Sequence, residues 1–269
     1  MTLTDTFKSV RRAAGTLADM TDDERNAVLA DVADAIVAGK ERLLAANGAD
    51  LARMDKATPL YDRLRLTAER LDAIAADMRN VALLPSPLGR TSHDRTLPNG
   101  LHIRRVSVPF GVIGIVYEAR PNVTFDVFAL CFKSGSACIL KGGKDADSSN
   151  REGVALIHEA LQRHGVDAAG QLLPSTHEAT AEMLGATGYI DLCIPRGGRK
   201  LIDFVRNTAR IPVIETGAGV VNTYFDASGD LEMGRRIVCN AKTRRVSVCN
   251  ALDCLIVHSA RTADPPQLC

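Results

Sequence analysis

An α/β fold built around a parallel sheet is what this sequence predicts, and three observations carry that expectation. GVIGIVYE (111–118), ACILK (137–141), YIDLCIP (189–195) and IPVIE (211–215) are apolar throughout rather than alternating, as strands covered on both faces are. Helical patterns at about 124–134, 148–163, 177–184 and 198–207 fall among them, with a short strand near 171–173; strands alternating with helices of this length argue for βαβ units. Residues before about 90 read instead as helices alone.

Taken in order, Thr21 and Glu24 form a capping box ahead of Val28, Leu29, Val32, Ile36 and Leu43, which recur at helical spacing until Asn47 and Gly48 are expected to end the run. A second amphipathic stretch, about 67–84, is stopped by Pro85 and Pro87. The period then changes: DRTLPNGLHIRRVSVPFG (94–111) sets Asn99 and Gly100 between two extended flanks, a strong short-range hairpin signal. After the alternating strands and helices, the pattern shifts again beyond Glu215. VVNTYFD (220–226) reads as a strand, GDLEMGRRIVCNAK (229–242) as a helix and DCLIVH (253–258) as a further strand, so a second domain is expected to begin near residue 216 and to be cut short.

Composition narrows the function classes. With 33 basic and 32 acidic side chains the formal net charge is +1, which offers no electrostatic footprint for nucleic acid or an anionic membrane. No apolar run approaches the ~18–20 residues that span a bilayer. The start, MTLTDTFKSVRRAAG, has no uninterrupted apolar stretch, and Asp5 and Asp19 argue against a basic targeting peptide; a cytoplasmic location follows as the default. Seven cysteines, at 131, 138, 193, 239, 249, 254 and 269, include no Cys-x-x-Cys pair and fit free thiols in a reducing compartment. The histidines form no His-x-x-x-His or His–Cys cluster, so no metal site is expected.

Ligands of an open parallel sheet bind beyond the carboxyl ends of its strands. The Gly-x-Gly-x-x-Gly dinucleotide fingerprint is absent, and LKGGKD (140–145) misses the phosphate-loop pattern because Asp145 follows Lys144. Two weaker signals remain. Lys141, Gly142, Gly143 and Lys144 follow one strand, and Pro195, Arg196, Gly197 and Gly198 end another and open a helix whose N–H groups suit a phosphate. Either is a cofactor cradle or a plain strand-exit turn. Among the thiols, Cys131, Cys138, Cys193 and Cys254 lie in apolar runs and read as core. Cys249 follows Lys242, Arg244 and Arg245 in NAKTRRVSVCNALDC (240–254); nearby cations favour a thiolate. Cys249 is therefore either a nucleophile or one more small buried residue.

Together, VPFGVIGIVYEARPNVT, LKGG, IPRGG, IPVIETGAG and NAKTRRVSVCNALD resemble the gamma-glutamyl phosphate reductases of the aldehyde dehydrogenase superfamily, from the amino-terminal helices to the last residues. The resemblance implies an aldehyde dehydrogenase-like α/β fold. Its parts would be an NADP-binding Rossmann-like domain with N-terminal helices (1–93 and 111–215), an oligomerisation hairpin (94–110) and the start of a catalytic domain (216–269). It implies NADPH-dependent reduction of L-glutamyl 5-phosphate to the semialdehyde in proline biosynthesis, with Cys249 as nucleophile through a thioester. Asn122 would donate to the oxyanion and Glu215 stand at the general-base position. Lys141, Gly142, Gly143, Arg196, Gly197 and Gly198 would hold the cofactor, and Arg120, Lys242, Arg244 and Arg245 the phosphate or substrate carboxylate. Its implied partners are further copies of the same chain and glutamate 5-kinase. Val221 and Asn222 depart from the Cys-His that many relatives carry. Because relatives continue past this endpoint, the catalytic domain is expected to be incomplete. Two other readings compete: an inactive dinucleotide-binding chain, and an oxidative aldehyde dehydrogenase that uses water.

Overall fold

The computed structural model describes residues 2–268 except 59, 119, 216–218, 245 and 247. They fall into two units, residues 1–215 and residues 216–269.

Helices open the first unit: α1 (Leu3–Asp19), α2 (Asp22–Ala38), α3 (Lys40–Leu51), the short α4 (Leu60–Leu64) and α5 (Ala68–Leu83). The capping box forms as expected, with Thr21 Oγ1 accepting from Glu24 N while Glu24 Oε2 accepts from Thr21 N. The helical run divides earlier than expected, at Gly39, and α3 passes straight through Asn47 and Gly48. Asn47 is buried, and its amide bridges two segments: Nδ2 donates to Leu64 O and Ser149 Oγ, and Oδ1 accepts from Leu66 N. A residue that commonly ends helices is held inside one because its side chain satisfies distant backbone groups.

The hairpin follows as β1 (Thr91–Thr96) and β2 (His102–Val106), antiparallel, closed by Leu97 N to Leu101 O at 2.8 Å. Gly100 takes φ 85° there, a left-handed conformation that favours glycine. The βαβ series is β3 (Val112–Tyr117), α6 (Pro121–Lys133), β4 (Ala137–Lys141), α7 (Asp147–Arg163), β5 (Gly170–Leu172), α8 (His177–Leu184), β6 (Leu192–Arg196) and α9 (Arg199–Thr208). The four strands are parallel in the order β5-β4-β3-β6. IPVIE does not extend this sheet as a strand: it makes one bridge, Val213 to Cys193, and Pro212 has no N–H to give a longer ladder.

Two hydrophobic layers follow from the period-2 alternation of the strands. Ile113, Ile115, Tyr117, Cys138 and Leu140 pack with α2, α5, α6 and α7. Val112, Val116, Ala137, Ile139 and Cys193 pack with Phe7, Val10 and Ala14 of α1, with α8 and with Val205 of α9. Both faces are covered, which is why β3 and β4 are buried along their whole length.

The second unit is one βαβ crossover: β7 (Asn222–Phe225), α10 (Leu231–Thr243) and β8 (Cys254–Val257), with the short α11 (Pro265–Leu268) beyond. Phe225, Val238, Leu252 and Leu268 are its buried hydrophobics. Cys254, expected in the core, is exposed: it is paired with Asn222 across the ladder, and both are exposed.

Candidate functional site

Strand register gathers the expected cofactor residues at one edge of the first unit. Val116 pairs with Lys141 and Tyr117 with Arg196, so the carboxyl ends of β4 and β6 flank that of β3. Counted within the sheet, the strand order is 3-2-1-4, and the direction of winding reverses between β3 and β6. In such sheets the crevice at that reversal is the ligand position. Arg120, which caps α6, and Asn122, in its first turn, emerge there directly after β3. The helix begins at Pro121, earlier than the apolar pattern suggested, because proline suits the first helical position.

Arg196, Gly197 and Gly198 form the entry to α9, but the Gly198 N–H is not free. It donates to Glu118 Oε2 at 2.8 Å, and Glu118 N in turn donates to Arg196 O at 3.2 Å. A Cβ added at Gly197 would lie 2.7 Å from both Glu118 Cδ and Leu201 Cδ2, so glycine is needed for the carboxylate to reach the helix end. The Gly198 N–H, expected to hold a cofactor phosphate, is therefore already satisfied by a carboxylate oxygen. The donor set fits an anion. Glu118 was missed in the sequence; an acidic residue directly after a buried strand is its one local signal.

At the β4 exit, Lys141 is buried, and that burial pulls its ammonium below the ordinary range while Asp147 partly restores it. The glycine at 142 has a reason of its own. A Cβ there would collide with Asn150 Nδ2 and come within 3.3 Å of the Tyr117 ring. Asn150 Oδ1 accepts from Thr124 Oγ1 (3.0 Å), and Thr124 bonds the Tyr117 hydroxyl (2.7 Å), so a buried polar network ties β3, α6 and α7 beneath this edge. Gly143 has ordinary extended backbone, φ −72° and ψ 157°. The α7 N-terminus is closed by Asp50, whose carboxylate accepts from Ser148 N (3.1 Å), Ser149 N (2.8 Å) and Ser149 Oγ (2.7 Å).

Asn122 is half-buried, and its Nδ2 donates to Asp126 Oδ2 at 2.9 Å. The surrounding protein holds the Asp126 carboxyl above its usual range although the side chain reaches solvent, and the Asn122 amide pulls the other way. Glu215 Oε1 accepts from Arg206 Nε at 2.6 Å, while Oε2 is buried without a hydrogen-bond partner among the described residues. Asp126 and Arg206 were not singled out in the sequence either; spacing of four along a helix was available for Asp126, and nothing local pointed to Arg206.

In the second unit Cys249 is exposed, which removes the core reading. Its loop leaves α10 and returns to it: Leu252 N donates to Ala241 O at 3.0 Å, and Lys242 Nζ to Leu252 O at 2.8 Å. Lys242 thus fastens the loop that carries the thiol, and Arg244 caps α10 as an exposed cation. Arg245 lies outside the described residues. Val221 and Asn222 are joined to the start of β8, with Val221 N donating to Asp253 Oδ2 at 3.1 Å.

No family model matches the chain. It is 60% identical over 268 residues to the gamma-glutamyl phosphate reductase of Bacteroides thetaiotaomicron and 58% identical over 268 residues to that of Pelodictyon phaeoclathratiforme. In both cases 99% of this chain is covered, and the chain spans 64% of the relative's length. Among solved structures, the gamma-glutamyl phosphate reductase of Thermotoga maritima superposes with a TM-score of 0.86 at 36% identity, over 96% of this chain and 64% of that one. An acetylating aldehyde dehydrogenase from Geobacillus thermoglucosidasius superposes with a TM-score of 0.71 at 16% identity, over 98% of this chain and 57% of that one. This last likeness speaks to the fold, which is aldehyde dehydrogenase-like.

Proposed function

The chain belongs to the gamma-glutamyl phosphate reductase family, and from that premise we propose that its protein reduces L-glutamyl 5-phosphate to L-glutamate 5-semialdehyde, with release of phosphate, in proline biosynthesis. The observation that carries this is 60% identity sustained over 99% of the chain.

Chemically, the Cys249 thiolate attacks the acyl carbon. The bond from that carbon to the phosphate oxygen breaks, and a thioester remains. Thiolate serves both steps, being a good nucleophile and a good leaving group. The Asn122 amide and the Cys249 backbone N–H donate to the developing oxyanion. Arg120, Lys242, Arg244 and Arg245 supply the cations for the phosphate and the substrate carboxylate. NADPH would be held by Lys141, Gly142 and Gly143 and by Arg196, Gly197 and Gly198, and would supply a hydride to the thioester carbonyl. Breakage of the carbon–sulfur bond then frees the aldehyde and returns the thiolate. No hydrolytic water is needed, and the ion pair that engages Glu215 with Arg206 accords with a carboxylate not employed to activate one. We place the protein in the cytoplasm, as a homo-oligomer joined through the 94–110 hairpin and supplied by glutamate 5-kinase, with residues 1–93 and 111–215 as the NADP domain and residues 216–269 as the start of the catalytic domain.

The test is the reverse reaction: oxidation of L-glutamate 5-semialdehyde by NADP, followed with and without inorganic phosphate. Phosphate-dependent turnover that Cys249→Ser abolishes is the expected result. Turnover independent of phosphate would make the protein an oxidative aldehyde dehydrogenase. Absence of turnover, with Cys249 alkylated no faster than the other exposed thiols, would leave an inactive dinucleotide-binding chain.

A further inference from the structure

We propose that Asp126 is a positioning residue for the Asn122 amide: its carboxylate takes one N–H of that side chain and leaves the second to the developing oxyanion. The inference rests on the role proposed above for Asn122 and adds what makes the amide competent for it. A side-chain amide presents either its oxygen or its nitrogen, and in the wrong orientation the oxygen would face an oxyanion and repel it. An ionised carboxylate accepts and never donates, so a carboxylate beside Asn122 can be met only by Nδ2. The 2.9 Å bond from Asn122 Nδ2 to Asp126 Oδ2 is that contact. The structure gives the Asn122 side chain no other hydrogen-bond partner among the described residues.

The setting of Asp126 argues for a task beyond helix solubility. It is the only acidic residue of α6, a helix that buries Val123, Phe125, Phe128, Ala129 and Phe132 and leaves Asp126 and Leu130 exposed. Asp77 of α5 adds like charge, Arg196 at the end of β6 adds opposite charge, and the surrounding protein disfavours the ionised form. The group this carboxylate meets is the amide that needs orienting. Asn122 itself is placed by Pro121, which fixes the first helical residue but not the torsion of the amide.

A double-mutant cycle in the complete protein, assayed as phosphate-dependent oxidation of the semialdehyde, tests this. Asn122→Ala is expected to lower kcat about 100-fold, the order found when one oxyanion donor is removed. Asp126→Ala is expected to lower kcat about 10- to 100-fold with KM within about twofold, and to add little once Asn122 is already alanine. Asp126→Asn, whose amide donates as well as accepts and so no longer selects Nδ2, is expected to lower kcat in the same direction as Asp126→Ala, again with KM within about twofold. The inference is overturned if Asp126→Ala stays near natural kcat while Asn122→Ala does not, or if the two losses multiply. If Asn122→Ala itself retains full kcat, the role of Asn122 falls and that of Asp126 falls with it. Asp126→Asn retaining full kcat would also overturn it, because an amide at 126 does not exclude the wrong orientation of Asn122.

Discussion

Burial divides the described thiols. Cys131, Cys138 and Cys193 are buried, and Cys239, Cys249 and Cys254 are exposed. Burial pushes the Cys193 thiol up to about 12, and a hydrogen bond from Cys131, together with burial, holds Cys138 well above its ordinary value. Alkylation reads that division directly. In the native protein, iodoacetamide near pH 8 should label Cys249 first and leave Cys131, Cys138 and Cys193 unlabelled until denaturant is added; peptide mass spectrometry measures each site. Gly142 is a second case in which one atom decides. Gly142→Ala must displace the Asn150 amide and disturb its bond to Thr124, which should destabilise the protein by roughly 1–3 kcal/mol, read from the urea midpoint.

At the scale of elements, α6 is fastened at both ends. Its amino end carries Arg120 and Asn122, and its last residue, Lys133, is buried with all three ammonium protons placed, on Asp22 Oδ2 (3.0 Å), Asn26 Oδ1 (2.6 Å) and Ala82 O (3.0 Å). Lys133→Met would leave these three acceptors without their donor and should lower stability by about 2–4 kcal/mol in chemical denaturation. The pH dependence has a definite sign. Partial burial raises the Asp22 carboxyl, but the Lys133 ammonium and the Asn26 amide outweigh it, so its folded value lies below the unfolded one. The stabilisation is therefore complete above about pH 4 and is lost as pH falls through the lowered value. The natural protein and Lys133→Met should accordingly converge in stability toward acid; a constant gap down to pH 2 would count against the pair.

The molecule as a whole divides unevenly. Both large hydrophobic clusters lie within residues 1–215, whereas among the described residues of the second unit Phe225, Val238, Leu252 and Leu268 are the buried apolar side chains. A chain ending after residue 215 is expected to fold cooperatively, and residues 216–269 alone are not, since so short a segment buries too little surface to offset its conformational entropy. Circular dichroism during urea titration of each piece is the measurement. A cooperative transition in the isolated 216–269 segment would contradict this.

The sequence by itself determined whatever rests on neighbours within a few residues. The apolar runs became β3 and β4, the capping box formed at Thr21, Asn99 and Gly100 lie at the hairpin turn, and helix 177–184 has the expected bounds. Caps, turns and periodicity are local, so they can be read along one chain. The motif around Cys249 was also legible, as was the gathering of Lys141 and Arg196 at strand ends. Only the tertiary structure decided the rest. Asn47 stays inside a helix because Leu64, Leu66 and Ser149 satisfy its amide; residues 211–215 make one bridge rather than a strand; Cys254 is exposed beside Asn222. Glu118 meets Gly198, and Arg206 meets Glu215, through contacts that no local pattern encodes. A hydrogen bond between residues far apart in the chain exists only after the sheet has set its register, so its partners cannot be assigned before the fold is known.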